Sequence, residues 1–182
     1  MDGNDSAAHR ILVLRSQHGD RAAMEALFLR HNQALGYYLR RMLNRDEVAD
    51  LQQEVWLTVL RRLHQLREPE AFTVWLYQIA RRRTYTKFFE RRMTPLPDSE
   101  TLAESIDEPE PEFSVEDAEV IHRELGSLSE SHRETVLLRF MEGLTYEQIA
   151  AVTDSNPGTV RSRLHYAKAI LRKRLEEYRE RR

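Results

Sequence analysis

The feature that most constrains the fold is an acidic, proline-containing segment in the middle of the chain. Residues 94–119 hold ten acidic side chains, no basic side chain and four of the six prolines. Proline removes backbone donors and clustered carboxylates repel one another, so we expect this segment to stay extended instead of packing into a core. The sequence therefore predicts a flexible acidic linker over 94–119 that joins two small domains, residues 1–93 and 120–182. A solvated spacer is the simplest interpretation of its composition.

The overall charge conceals how charge is distributed along the chain. A net charge of -2 would by itself argue against a nucleic-acid partner. However, residues 1–93 carry 16 basic and 11 acidic side chains, and residues 120–182 carry 12 and 9. Both flanks of the linker are therefore positively charged, which favours binding to nucleic acid.

The composition also excludes several classes of protein. The chain has no cysteine, which excludes disulfides, a thiolate nucleophile and a cysteine-ligated zinc site. Its seven histidines are scattered without a His-x-x-x-His pair, and it has no glycine-rich phosphate loop. We therefore expect no catalytic residue, no metal site and no cofactor. No apolar run approaches the roughly 20 residues of a membrane-spanning helix, so we predict a soluble, cytoplasmic protein without membrane insertion.

Both flanks have helical periodicity. Apolar residues recur every three or four positions, and alternating strand patterns are missing, which predicts an all-α protein. Asp20 is suited to capping the helix that follows it, and Pro69 separates two helices. Gly143 suits the left-handed residue that ends a helix over 131–142. Helical spacing covers Ala22–Met42, Leu51–Leu66, Phe72–Phe89, Val136–Phe140 and Val160–Leu175.

The C-terminal flank has the order of elements of a helix-turn-helix domain. A capping-box spacing at Thr145 and Gln148 opens a short helix. A polar turn then covers Thr153–Asn156, and Pro157 is suited to the first position of a longer helix. The longer helix has one apolar stripe for the core, formed by Val160, Leu164, Ala167, Leu171 and Leu175.

The other face of this longer helix is expected to bind DNA. Its side chains are donors of the kind that reach base edges and phosphates from the major groove. We expect Arg161, Ser162 and His165 to contact bases, while Arg163, Lys168 and Arg172 contact phosphates. A surface helix that only exposes its cations to water is the alternative for any single residue. The complete predicted face is Thr159, Arg161, Ser162, Arg163, His165, Lys168 and Arg172.

In the N-terminal flank, Phe72–Arg92 changes from apolar and aromatic to basic along its length. The first half is expected to pack in the core through Phe72, Trp75, Leu76 and Ile79. The second half combines cations, which hold phosphates, with aromatic rings, which offer flat surfaces to unpaired bases. Core packing is the alternative for the rings. The residues of this second half are Arg81, Arg82, Arg83, Tyr85, Lys87, Phe88, Phe89, Arg91 and Arg92.

An acidic polar face precedes this helix and completes a recognisable set of motifs. Asp50, Gln53 and Glu54 form that face, although carboxylates near a helix start also complement the helix dipole. Taken in order, Asp50–Glu54 (DLQQE), Trp75–Arg81 (WLYQIAR) and Leu128–Leu164 resemble the group-four, or extracytoplasmic-function (ECF), sigma factors of the sigma-70 family. The likeness extends over 19–175. It implies a sigma region 2 helical bundle and a sigma region 4 helix-turn-helix domain.

The resemblance also implies a function and partners. Such a protein is not an enzyme; it binds core RNA polymerase, through the β and β′ subunits, and directs transcription initiation at promoter DNA. Asp50, Gln53 and Glu54 would dock on β′, region 4 would read the minus-thirty-five element, and the linker would occupy the RNA path as an RNA-like polyanion. An anti-sigma factor is a further implied partner. The implied minus-ten contacts are His64, Arg67, Tyr77, Arg81, Arg82, Tyr85, Lys87 and Phe88.

Two positions depart from the family pattern. Arg82 stands where relatives often have Asn, and the turn Thr153–Asn156 replaces an apolar-Gly-apolar-Ser sequence. Asp154 tolerates the left-handed conformation that glycine normally supplies, so we expect the turn to form. The alternative function is a stand-alone helix-turn-helix regulator that binds duplex DNA without polymerase. Such a regulator needs neither the basic aromatic helix nor the acidic linker.

Overall fold

The computed structural model describes residues 3–43, 45–91 and 122–180. Within these ranges all regular secondary structure is helical, which confirms the predicted fold class. The chain divides into two compact units, Met1–Pro95 and Leu96–Arg182. Among the helices described, none combines the length and the apolar character needed to cross a membrane.

The described part of the N-terminal unit is built from four α-helices: α1 (Gly3–Gln17), α2 (Arg21–Met42), α3 (Val48–Arg62) and α4 (Phe72–Arg91). Short 3-10 helices cover Arg45–Glu47, Leu63–Gln65 and Pro69–Ala71. Helix α2 is central, because it packs against α1, α3 and α4. Helix α1 also packs against the last two 3-10 helices, so it supports the connection between α3 and α4.

Helix α2 begins where the sequence predicts it. Asp20 is the N-cap, and its Oδ1 accepts a hydrogen bond of 3.1 Å from the backbone N–H of Ala23. This bond and a second one from the Arg15 side chain lower the pKa of the Asp20 carboxyl. The predicted break at Pro69 is also confirmed, because Glu68 is extended and α4 starts only at Phe72.

The contact between α2 and α3 is close and partly polar. The Gln52 amide donates to the backbone oxygen of Asn32 at 2.7 Å, and the Trp56 indole donates to Asn32 Oδ1 at 3.1 Å. A Cβ added at Gly36 would lie 2.9 Å from Gln52 Oε1, so only glycine permits this approach without displacement of a neighbour. The contact fixes the register of α3, which presents Asp50 and its neighbours.

Helix α1 is missing from the sequence prediction, which has no helix before Ala22. The reason is its pattern: in the apolar run Ile11–Leu14 only Val13 is fully buried, so no continuous apolar stripe marks the helix. A polar contact holds α1 instead. His9 and His31 are both buried with their Nε2 atoms 2.9 Å apart, which joins α1 to α2.

The ring of Phe72 packs against both histidines, with centroid distances of 5.7 Å to His9 and 5.2 Å to His31. Burial in this aromatic surrounding disfavours the charged imidazolium. The pKa of His31 is lowered to about 3 by burial first, then by His9 and Arg30. Burial and then Arg30 also lower the pKa of His9, against an opposing effect of Asp5. The pair is therefore neutral near pH 7.

The described part of the C-terminal unit contains α5 (Glu130–Phe140), α6 (Tyr146–Thr153) and α7 (Pro157–Glu180), with a 3-10 helix at Leu125–Ser127. Helix α7 packs on both α5 and α6. The Arg133 guanidinium donates to the backbone oxygens of Leu125 and Leu128, at 2.8 and 2.9 Å, and so holds the 3-10 helix against α5. The predicted apolar stripe of α7 is buried at all five positions: Val160, Leu164, Ala167, Leu171 and Leu175.

The helix-turn-helix motif forms as predicted. Thr145 and Gln148 make the reciprocal capping box of α6, with bonds of 3.2 and 2.9 Å. Asp154 ends α6 with φ of 53°, the left-handed conformation expected of it. Gly143 likewise has φ of 65°, after α5. Helix α7 then starts at Pro157, so the path of the chain through the motif is set by local signals.

Candidate nucleic-acid interface

The first turns of α7 carry most of the predicted DNA-binding face. Arg161 and Arg172 are exposed, and Ser162, Arg163 and His165 are half-buried, which leaves part of each side chain accessible. Thr159 is also half-buried, and its backbone N–H donates a hydrogen bond of 2.8 Å to Oδ1 of Asn156. This second cap was not part of the prediction, although Asn before Pro at a helix start is a recognisable signal.

Arg161 also acts electrostatically on the start of α6. The pKa of the exposed Glu147 carboxyl is lowered by its own backbone N–H, then by the hydroxyl of Thr145 and finally by Arg161. The guanidinium of Arg161 is therefore close enough to act on the first turn of the preceding helix. Arg161 itself is exposed on the surface of α7.

The structure corrects the assignment of Lys168 to the DNA-binding face. Lys168 is 5% exposed, and its Nζ lies over the ring of Phe140, 5.4 Å from the centroid. The reason is position: Lys168 follows Leu164 by four residues and precedes Leu171 by three, so it falls on the buried stripe. Its cation is used inside the unit, against α5, and does not line the outer face of α7.

Helix α4 presents its cations on the exposed side. Arg82 and Arg83 are exposed, and Arg81 is half-buried with its guanidinium 4.4 Å from the centroid of the Tyr85 ring. Lys87 is half-buried. Arg81 and Tyr85 thus bring one cation and one aromatic ring together on α4, and their role in binding a DNA strand stays a prediction. The side chain of Phe88 lies outside the described part of the structure.

A second correction concerns Tyr77, which was assigned to the minus-ten strand. Tyr77 is fully buried, and its ring meets that of Tyr38 edge to face at a centroid distance of 5.2 Å. It lies next to Leu76 on the side of α4 that packs on α2, so it is a core residue. Of the predicted core, Phe72 and Leu76 are fully buried, whereas Trp75 and Ile79 are only half-buried.

Between α3 and α4, the loop at residues 63–71 exposes His64, Gln65 and Arg67. It is held from α1: the side-chain amide of Gln17 donates to the backbone oxygens of Leu63, at 3.0 Å, and Leu66, at 2.7 Å. Sequence reasoning missed Gln17, because nothing local to the loop points to a partner 46 to 49 residues away.

The predicted acidic face of α3 is accessible, and two exposed leucines follow it along the helix. Asp50 and Gln53 are exposed, and Glu54 is half-buried beside Arg83 of α4, with 3.5 Å between the charged groups. The exposed side continues along the helix with two apolar residues, Leu57 (41% exposed) and Leu60 (56% exposed). Exposed leucines at this spacing are the signal that could have extended the predicted face.

A helix-turn-helix unit with an exposed basic recognition helix, preceded by a helical unit with a basic aromatic helix, defines a DNA-binding transcription protein. Comparison with known families makes this specific. Residues 27–93 match the model described as Sigma-70 region 2, and residues 118–177 match Sigma-70, region 4. The chain belongs to the sigma-70 family, among the ECF sigma factors of RNA polymerase, and is a transcription initiation factor without enzymatic activity.

Relatives of known function agree with this family assignment. The chain is 33% identical to the RNA polymerase sigma-H factor of Pseudomonas aeruginosa, covering 91% of this chain and 92% of that protein. It is 31% identical to the ECF RNA polymerase sigma-E factor of Escherichia coli, covering 92% and 94%. The predicted resemblance is thereby confirmed. A stand-alone regulator, the alternative prediction, does not account for the region 2 match.

Two solved structures share the fold. CnrH, solved in complex with the cytosolic domain of CnrY, superposes with a TM-score of 0.68 at 22% identity, over 93% of this chain and 98% of that one. The sigma factor RpoE of Bartonella quintana, solved with the anti-sigma factor NepR, gives 0.66 at 22% identity, over 84% and 96%. At this level of identity, the neighbours support the fold alone.

Proposed function

We propose that this chain directs core RNA polymerase to promoters by reading two DNA elements with its two units. In this proposal the C-terminal unit reads the duplex minus-thirty-five element, and the N-terminal unit holds the unpaired minus-ten strand. The observation that carries the proposal is the exposed start of α7, where Arg161, Ser162 and His165 are accessible in helix-turn-helix geometry. Domain boundaries at 1–93 and 120–182 are part of the proposal.

For the minus-thirty-five element, Arg161, Ser162 and His165 are the proposed base contacts. A recognition helix contacts base edges with its N-terminal residues, and these three lie within the first three turns of α7. Thr159, Arg163 and Arg172 would contribute phosphate or sugar contacts, which position the helix without reading sequence. Lys168 is left out of this set because it is buried.

For the minus-ten strand, the proposed contacts lie on α4 and on the loop that precedes it. Arg82 and Lys87 would hold phosphates, and the Arg81 and Tyr85 pair would present a flat surface to an unstacked base. His64 and Arg67 are the proposed contacts from the loop, where both side chains are exposed. Phe88 remains a sequence-based candidate.

For polymerase docking, the proposed face is the exposed side of α3. Asp50 and Gln53 supply polar contacts, and Leu57 and Leu60 add apolar area that a partner would remove from water. Glu54 belongs to the same face. Its carboxylate is already close to Arg83, so its contribution to docking is expected to be smaller than that of Asp50.

Docking is tested by co-purification of the full chain with core RNA polymerase. Asp50→Lys is expected to abolish stoichiometric binding, because a carboxylate that meets a basic partner helix becomes a repelling cation. Glu25→Lys, a charge reversal on the exposed side of α2, is the matched control and should bind as wild type. Reversal at Glu54 is avoided, since the new cation would face Arg83 within the unit. Full binding by Asp50→Lys would remove α3 from the docking face.

Minus-thirty-five reading is tested with Arg161→Ala in the polymerase-bound chain. Loss of a bidentate contact to guanine should weaken binding to the preferred promoter by about 1–3 kcal/mol and relax preference at one base pair. A selection from duplex DNA randomised at the minus-thirty-five positions measures both effects. A uniform weakening across all sequences would instead make Arg161 a phosphate contact.

Two further elements of the proposal concern regulation and the linker. An anti-sigma factor is proposed as a partner, since both structural neighbours were solved as complexes and one is with an anti-sigma factor by name. A cytoplasmic location follows from binding to polymerase. Residues 94–119 lie outside the described residues. From their composition, we propose that their ten carboxylates occupy the path for RNA on the polymerase as a polyanion.

A further inference from the structure

Helix α1 contacts the loop at residues 63–71 through two hydrogen bonds from one side chain. The amide nitrogen of Gln17 has two hydrogens, and both are used, one toward the oxygen of Leu63 and one toward that of Leu66. The bond lengths of 3.0 and 2.7 Å are those of well-formed hydrogen bonds. The oxygen of Leu63 also accepts a hydrogen bond of 3.1 Å from the backbone N–H of Leu66, so Gln17 adds a second bond to a local turn.

The two carbonyl groups that Gln17 holds are those that orient the exposed residues of the loop. A peptide group is planar, so a fixed carbonyl also fixes the direction to the next Cα. The residue after Leu63 is His64, and the residue after Leu66 is Arg67. Both are exposed and both are proposed to contact the minus-ten strand. One side chain of α1 therefore constrains the backbone directly before both.

Helix α1 is itself anchored, so Gln17 can transmit this constraint. The buried contact between His9 and His31 joins α1 to α2, and Phe72 packs on both rings. On the outer side, Arg10 Nε lies 2.8 Å from Glu70 Oε1, at the second end of the loop. Both members of this pair are largely exposed, so it adds little on its own. The region 2 match begins at residue 27 and does not include α1.

We propose that Gln17 is a positioning residue for minus-ten recognition, which holds His64 and Arg67 in the orientation that meets unpaired bases. The inference rests on the proposed role of the loop in binding that strand. A specific contact to a base requires placement within about 0.5 Å, whereas attraction to phosphates tolerates movement. Loss of the Gln17 contact should therefore reduce preference among bases more than overall affinity, to which the cations of α4 contribute.

The test compares base preference in wild type, Gln17→Met and Gln17→Lys, each as full chain bound to core RNA polymerase. The probe is a pool of single-stranded DNA randomised across the minus-ten positions. Methionine keeps the length of the side chain and removes both donors, so the ratio between the best and worst base should fall about tenfold at one position or more. Lysine restores a donor to both carbonyl groups and should restore most of that ratio.

Controls separate positioning from stability. Gln33→Met makes the same substitution on the exposed side of α2 and should keep the wild-type preference. Gln17→Asn, too short to reach both carbonyl oxygens, replaces Gln17→Met if the latter does not fold. A merely structural role would lower the active fraction and leave the ratio between bases unchanged, and that result would overturn the inference. Absence of any preference in wild type would instead reject the proposed role of the loop, and this inference with it.

Discussion

The two segments proposed to read DNA, the turn of the helix-turn-helix motif and the loop at residues 63–71, are held in different ways. In the turn, Thr153 donates to Ile149, the backbone N–H of Ser155 donates to Ala150, and Asn156 accepts from Thr159. All of these partners lie within five residues of one another in sequence. The loop has local bonds as well, from Leu66 to Leu63 and from Ala71 to Glu68, but it also depends on Gln17, far away in the chain.

This difference predicts which changes elsewhere in the chain will disturb each segment. The turn needs only its own sequence and a core beneath it, so it should keep its conformation when distant parts of the chain change. The loop needs α1 to be in place, so any change that loosens α1 should reach the loop. Substitutions that destabilise the N-terminal unit should therefore also affect recognition of the minus-ten strand. In the C-terminal unit, the conformation of the turn should depend mainly on its local caps.

The largest expected effect follows from removal of the aromatic ring on which the α1 contact rests. Phe72→Ala empties a fully buried site between His9 and His31 and should destabilise the N-terminal unit by about 3–5 kcal/mol. Both tryptophans, Trp56 and Trp75, lie in this unit, so the midpoint of the urea transition followed by tryptophan fluorescence measures the loss.

The matched control for this substitution is Phe140→Ala. Phe140 is 42% exposed in the C-terminal unit, so the same truncation should leave the tryptophan transition where it is. If Phe72→Ala moved the midpoint by no more than this control, the contact between α1 and the rest of the unit would not be a major source of stability.

The next effect in size is a dependence of the N-terminal unit on pH. The pKa of His31 is about 3 in the folded chain and 6.5 when unperturbed. Below pH 6.5, His31 therefore becomes protonated in the unfolded chain while it stays neutral in the folded chain. Stability is complete above pH 6.5 and falls as pH drops, by up to about 1.4 kcal/mol per pH unit for this group. His9 adds a change of the same sign.

His31→Gln tests this assignment, because an amide can bond to His9 and does not titrate. Between about pH 7 and about pH 5.5, the variant should lose about 1 kcal/mol less stability than wild type, measured by urea unfolding with tryptophan fluorescence. Equal losses in the two proteins would place the pH dependence in other groups.

A smaller effect is expected where a local signal of the C-terminal unit is removed. Thr145→Ala deletes the N-cap of α6 and leaves the backbone N–H of Gln148 without its acceptor, at a cost of about 1 kcal/mol. Hydrogen exchange of the α6 amides should rise, while the tryptophan transition of the N-terminal unit stays unchanged. Asp154→Gly should instead stabilise the C-terminal unit, because glycine adopts the left-handed conformation with less strain. A tryptophan transition shifted by Thr145→Ala would contradict the local character of the motif.

The same contrast explains what could be predicted from sequence. The capping box at Thr145, the left-handed Asp154 and Pro157 at the start of α7 are local signals, and the structure has each of them where expected. Helix α1 could not be found because its anchor is a histidine pair, and only Val13 of its apolar run is fully buried. Gln17 could not be found because its partners depend on how α1 packs against the loop.

The two wrong site assignments, Tyr77 and Lys168, have a related cause. Tyr77 is next to the buried Leu76, and Lys168 falls on the buried stripe of α7, so in both cases a polar group masks a buried helical position. The neighbouring helix decides: α2 covers Tyr77 through Tyr38, and the end of α5 covers Lys168 through Phe140. Residues farther from the stripe, such as Arg161 and Arg172, remain exposed as expected.

Lys168 gives the smallest predicted effect, and the most direct comparison of a buried cation with an exposed one. A cation that contacts a phosphate contributes about one unit to the slope of affinity against salt concentration on logarithmic axes. Arg172→Met should therefore lower that slope by about 1 for duplex minus-thirty-five DNA bound by polymerase with this chain, whereas Lys168→Met should leave it unchanged. The two variants remove the same charge from one helix, four residues apart. If Lys168→Met also lowered the slope, its cation would reach DNA, and its charge would be a better guide than its position on the buried stripe and its packing on α5.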